Sequence, residues 1–183
     1  MDTVGEQGPF LLVAHSYGGL VARTAATLRP DEVAGMVLVD ATSPLVLAPG
    51  SPYPDAAEPW PGERGPTDIS AVPDLVGNGP DMGSAPVVVL QAGIWDDDSP
   101  LAFSDTGEAD WEAWQRQAAT LSRNAVHGVV VDAGHMIPMH NPDAVVAATT
   151  AAAASSRNGN AAMGECPAAL GETGVTCPQS QTG

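Results

Sequence analysis

The sequence contains no lysine, and its six basic residues, all arginines, face 22 Asp and Glu, for a formal net charge of −16. A reader of a nucleic-acid backbone needs a basic stripe that such a chain cannot supply, and binding to nucleic acid is excluded. The same deficit argues against an anionic membrane surface. Long apolar runs are missing too. No stretch of about 18 apolar residues occurs, so no membrane-spanning helix is expected, and mean hydropathy is +0.01. Met1 is followed by the acidic and polar Asp2-Thr3-Val4-Gly5-Glu6-Gln7-Gly8, whereas an export signal begins basic and becomes apolar. As written, the chain reads as cytoplasmic. Cysteine is limited to Cys166 and Cys177; with ten residues between them and no His cluster nearby, they suit neither zinc nor a redox motif. A local disulfide and a pair of idle thiols both remain open.

Against these absences stand a hydrophobic fraction of 44% and a length of 183 residues, enough for one core. With 20 Gly and 17 Pro, part of the length must be loop. Pro9 to Ala14 (PFLLVA) is a continuous apolar run of the kind a strand buried on both faces requires. Gly18 to Leu28 then reads as a helix stopped by Pro30, and Val33 to Val39 as a second strand. From Thr42 to Ala85, Pro and Gly dominate and periodicity is lost. Pro86 to Gln91 predicts a third strand, Glu108 to Arg123 an amphipathic helix, Val126 to Val131 a fourth strand and Pro142 to Ala154 an Ala-rich helix. This alternation predicts an α/β fold with a mostly parallel sheet of about four strands. Residues 1–154 form the expected domain, with 42–85 as an insert, and 155–183, poor in large apolar residues, a flexible tail carrying the Cys pair.

The segment richest in chemistry is FLLVAHSYGGLVAR, Phe10 to Arg23. A buried strand enters a turn of the form small, any, nucleophile, any, small, and a helix leaves it; this is the context of a nucleophile elbow built on Ser16. Small residues belong at Ala14 and Gly18 because the turn forces the serine into a strained backbone conformation. Ser16 would sit at a helix N-terminus, where the Tyr17 backbone N–H and the helix dipole favour a developing oxyanion. The plainer alternative is a serine that caps an ordinary helix.

Through this motif the sequence resembles the α/β hydrolase superfamily. The resemblance runs from about Phe10 to Ala154 and covers the family's second half, from the elbow strand onward. LRPDEVAGMVLVDATSP resembles the stretch leading through the family's sixth strand, and 42–85 stands where relatives insert a cap or lid. The resemblance implies a serine hydrolase acting on an ester or similar small acyl substrate, with no cofactor and no metal. Its base would follow the last strand, at His135 in Asp132-Ala133-Gly134-His135. His15, His127 and His140 are the competing histidines. His135 and His140 alone, without a third ligand motif, do not make a metal site. The acid usually lies just past the seventh strand, an offset reproduced by Gly93-Ile94-Trp95-Asp96, so Asp96 is the first choice. Asp40, at the end of the sixth-strand segment, is the position some relatives use instead, and Asp97 or Asp98 would serve after a one-residue shift.

Only nine residues precede Phe10, whereas the family places several strands and a second oxyanion donor before the elbow. The resemblance therefore implies a truncated gene, a mis-assigned start or a fragment, exported if its true N-terminus is missing. It also predicts an open apolar edge on the elbow strand, open to self-association. A truncated, non-catalytic relic is the alternative to an enzyme, and transfer or halide-dependent chemistry on the same fold is a third.

Overall fold

The computed structural model describes residues 5, 7–48, 51, 72, 77, 79–97, 99–102 and 104–178. Most of the 42–85 insert lies outside the described residues, as does Asp98. In chain order the elements are β1 (Phe10–His15), α1 (Gly18–Leu28), β2 (Val33–Val39), β3 (Val87–Ala92), α2 (Gly107–Ala118), β4 (Ala125–Val130), α3 (Ile137–His140), α4 (Pro142–Arg157), α5 (Ala168–Gly171) and β5 (Val175–Thr176). The strands lie in sequence order, β1-β2-β3-β4-β5; the first four are parallel and β5 is antiparallel to β4.

In β2 and β3 the continuous apolar runs are explained by burial on both faces of the sheet, whereas β1, at the edge, is mostly half-buried and only its Ala14 is fully covered. Along β2, Val37 and Val39 join Val88, Leu90, Val126 and Val130 on one face, against Ala144, Ala148 and Ala152 of α4. Met36 and Leu38 join Val87 and Val89 on the other, against Ala22 and Ala26 of α1 and Ala118 at the end of α2. Alternating side chains thus serve two different layers. Alanines at four-residue spacing place one small stripe of α4 on the sheet. Asn141 begins that helix by accepting the Ala144 N–H at 3.0 Å.

The C-terminal region differs from the flexible tail expected beyond Ser155. α4 continues to Arg157, and the chain then returns as α5 and β5, with Val129 opposite Thr176 and Val130 opposite Val175. Few large apolar residues are needed to hold it. Leu170 and Val175 are buried in the α4-side core, with Met163 packed against it, and Gly128 leaves the space that the Val175 side chain fills. Asn124 accepts the Met163 N–H at 3.0 Å and donates to the Ala161 carbonyl at 3.2 Å. Cys166 and Cys177 are joined as a disulfide, which closes the alternative that the sequence left open. α2 also ends before Arg123: a 3-10 turn, Ala119–Leu121, follows it, and the Ser122 hydroxyl turns to the Ala85 carbonyl at 2.6 Å.

The opposite edge of the sheet is open. Among the described residues β1 pairs only with β2, and Val13 is 48% exposed. No described helix is long and apolar enough to cross a membrane.

Candidate functional site

The site lies at the C-terminal ends of β1, β2 and β4, where parallel strands deliver their following loops to one end of the sheet. Ser16 is the first residue beyond β1 and has φ +52°, a conformation that costs a non-glycine residue about 1–3 kcal/mol and persists only when its surroundings hold it. They do so through three backbone bonds. The Ser16 N–H donates to the Val39 carbonyl at 3.2 Å, and the Ser16 carbonyl accepts the N–H groups of Gly19 and Thr42, each at 2.9 Å. A Cβ at Gly18 would meet only Ala14 Cβ, at 3.7 Å, whereas one at Gly19 would come to 2.7 Å from Ala41 Cβ and 3.1 Å from the Thr42 carbonyl. Gly19 is therefore the sterically demanding position of the pair, because α1 begins against the loop after β2.

His135 stands in the turn that follows β4, and its Nε2 is 2.9 Å from Ser16 Oγ. Its Nδ1 is 2.7 Å from Asp40 Oδ2. A carboxylate can only accept, so Nδ1 carries the proton and Nε2 accepts from the serine hydroxyl. The His135 side chain is 11% exposed and that of Asp40 1%. Asp40 follows β2 directly and has φ +40°. Its Oδ1 accepts the Ala92 N–H and the Trp111 indole N–H, each at 3.0 Å. Three donors thus compensate the cost of burying the carboxylate.

The structure brings Asp40, and not Asp96, to the imidazole. Asp96 is exposed; its Oδ1 accepts the Ser99 hydroxyl at 3.1 Å, and its N–H donates to Ser99 Oγ at 2.9 Å. Its carboxylate lies beside Gly134, where a Cβ would meet Oδ2 at 2.6 Å, one residue short of the ring. Asp97 is exposed on the same loop. The Gly-x-x-Asp pattern does matter to the site, through its glycine. Gly93 N–H donates to the Val130 and Ala133 carbonyls and Ile94 N–H to Ala133, at 3.0 to 3.1 Å, and a Cβ at Gly93 would come within 2.6 Å of the Val130 carbonyl. The loop after β3 thereby holds the turn that carries His135.

Two further side chains reach the site, the competing histidine His15 and Trp111, which carries no mark of this role in the sequence. His15 donates from Nε2 to the His135 carbonyl at 2.9 Å, and the two rings lie tilted at 36° to each other with centroids 4.7 Å apart. Trp111 stands edge-on to His135 at 6.1 Å. The remaining histidines lie elsewhere: His127 donates to Gln91 Oε1 at 2.9 Å, and His140 is exposed at the end of α3. Burial, aided by the charge of Arg116 and opposed by Glu112, lowers the His127 pKa. Tyr17 is the N-cap residue just before α1, and its N–H is one of those at the helix start that have no acceptor within the helix. A hydroxyl, an imidazole and a buried carboxylate in line can pass a proton from oxygen to nitrogen while the carboxylate steadies the cation that forms.

The model of the alpha/beta hydrolase fold matches residues 1–64, which include Ser16 and Asp40. A stretch of 51 residues is 47% identical to Lipase LipV of Mycobacterium tuberculosis (strain ATCC 25618 / H37Rv). Over these residues the chain is similar to the α/β hydrolase superfamily. The mostly parallel sheet with helices on both faces accords with a partial α/β hydrolase fold. The match to the lipase covers 28% of this chain and 18% of that relative. No solved structure matches the chain.

Proposed function

We propose that this chain is a serine hydrolase of the α/β hydrolase type for an ester or similar acyl substrate, with Ser16 as nucleophile, His135 as general base and then general acid, and Asp40 as the carboxylate that orients His135. The observation that carries this reading is the continuous hydrogen-bonded chain from Ser16 Oγ through His135 to Asp40 Oδ2, on a serine held at positive φ. As Ser16 Oγ attacks the acyl carbonyl, its proton passes to His135 Nε2, and the carbonyl oxygen becomes an oxyanion. The Tyr17 N–H and the start of α1 would stabilise that charge, a donor of this type being worth about 10² to 10³ in rate. Collapse expels the alcohol with the proton from His135. Water then enters by the same route to release the acid and restore Ser16. Likeness to a lipase supports an ester as the first substrate class to try.

A fluorophosphonate probe tests the reading without knowledge of the substrate. The folded chain should take up one probe per molecule at Ser16, located by mass spectrometry, and hydrolyse a short p-nitrophenyl ester. Ser16→Ala should abolish both. A folded chain that takes up no probe, or takes it up equally after Ser16→Ala, contradicts the assignment.

A further inference from the structure

We propose that Trp111 is a positioning residue for the Asp40–His135 pair: its indole N–H holds the carboxylate plane at the angle that presents an oxygen to the imidazole. The inference rests on the Ser16–His135–Asp40 reading above. The last torsion of an aspartate is broad, so the carboxylate plane turns away from the imidazole at little intrinsic cost. What sets its angle is the distribution of donors. Oδ1 accepts from Ala92 N–H and from Trp111 Nε1–H, while Oδ2 is left to His135 Nδ1. Ala92 contributes backbone from β3, already fixed by the sheet. Trp111 contributes the side-chain donor on Oδ1, delivered from α2 across 71 residues of sequence.

The indole has the burial and placement for this role. Trp111 is 3% exposed, and a buried indole N–H needs an acceptor. It finds a charged one, which strengthens the bond. Its ring lies edge-on to both His135 and Trp114, and Val46 and Leu101 pack in the same cluster, so the N–H direction is set by packing. α2 itself begins tightly, since a Cβ at Gly107 would collide with the Leu101 carbonyl. The helix start, the tryptophan and the carboxylate therefore form one rigid path to the imidazole.

Trp111→Phe removes the donor and keeps most of the ring. With a p-nitrophenyl ester as probe, kcat should fall by about tenfold, the loss expected for roughly one weakened transition-state interaction, while KM stays within about twofold. In an Asp40→Asn background the same substitution should change kcat by less than about twofold, because its effect runs through the carboxylate. Equal losses in both backgrounds would overturn the proposal and leave Trp111 as packing. A spectroscopic reading needs no turnover: the Trp111 Nε1–H proton resonance, assigned among the four tryptophans by single Trp→Phe replacements, should move and exchange faster in Asp40→Asn. If it does neither, the proposal fails, even where Trp111→Phe does not fold. Fluorophosphonate labelling of Ser16 separately decides the underlying reading, so the two failures are distinguishable.

Discussion

Asp40 and Asp96 occupy comparable places, each just beyond a strand at the same end of the sheet, yet they meet different fates. Asp40 follows β2 directly, is 1% exposed, and receives donors from β3, α2 and the turn after β4. Asp96 lies four residues beyond β3, is exposed, and bonds Ser99 on its own loop. An acid suited to orient an imidazole is thus distinguished less by its offset from a strand than by the donors that converge on it. Convergence is a tertiary property, and the Gly-x-x-Asp spacing carries none of it.

The largest effect expected from this comparison is on rate. Asp40→Asn should lower kcat by about 10⁴, the typical result of misdirecting the imidazole tautomer, whereas Asp96→Asn should stay within about tenfold. Comparable losses at both positions would erase the distinction. Next in size, Gly93→Ala sharpens what the loop after β3 contributes. Its Cβ would press on the Val130 carbonyl at 2.6 Å and on Val131 Cα at 2.8 Å, so stability in urea should fall by about 1–3 kcal/mol. An unchanged urea midpoint would show that the two loops separate without cost.

The smallest effect concerns acid stability and a histidine outside the site. The His127 pKa is lowered from 6.5 by burial, with Arg116 lowering it further and Glu112 raising it. The unfolded chain therefore binds this proton more readily than the folded one. His127 contributes stability that is fully present above pH 6.5 and is lost as pH falls through the depressed folded value. His127→Gln should flatten that part of the stability–pH curve. A curve of unchanged shape would count against the burial argument.

Much of the fold was legible because local pattern and tertiary environment agree. The apolar run Val33–Val39 is β2, and the helix read from Gly18 to Leu28 is α1 over those same residues; two-sided burial and Pro30 explain both. Ser16 and His135 were also legible, since each stands in a turn fixed by its neighbouring strand. Asp40 was named only as an alternative. A sharper signal was present in its place, an acidic residue directly after a fully apolar strand, but reading it required knowing that β2 lies beside β1. Trp111 left no such mark, because its contact with Asp40 spans 71 residues and depends on where α2 begins. The segment after Ser155 misled through composition: a few well-placed side chains, Leu170 and Val175 among them, and a disulfide suffice to add a strand.

The assignment of the imidazole's partner is tested most directly by the His135 Nδ1–H proton in solution, compared among the unsubstituted chain, Asp40→Asn and Asp96→Asn. Bonded to a buried carboxylate at 2.7 Å, it should give a far-downfield, slowly exchanging resonance that survives Asp96→Asn and disappears in Asp40→Asn. A resonance that persists without the Asp40 carboxylate and vanishes without that of Asp96 would contradict the account.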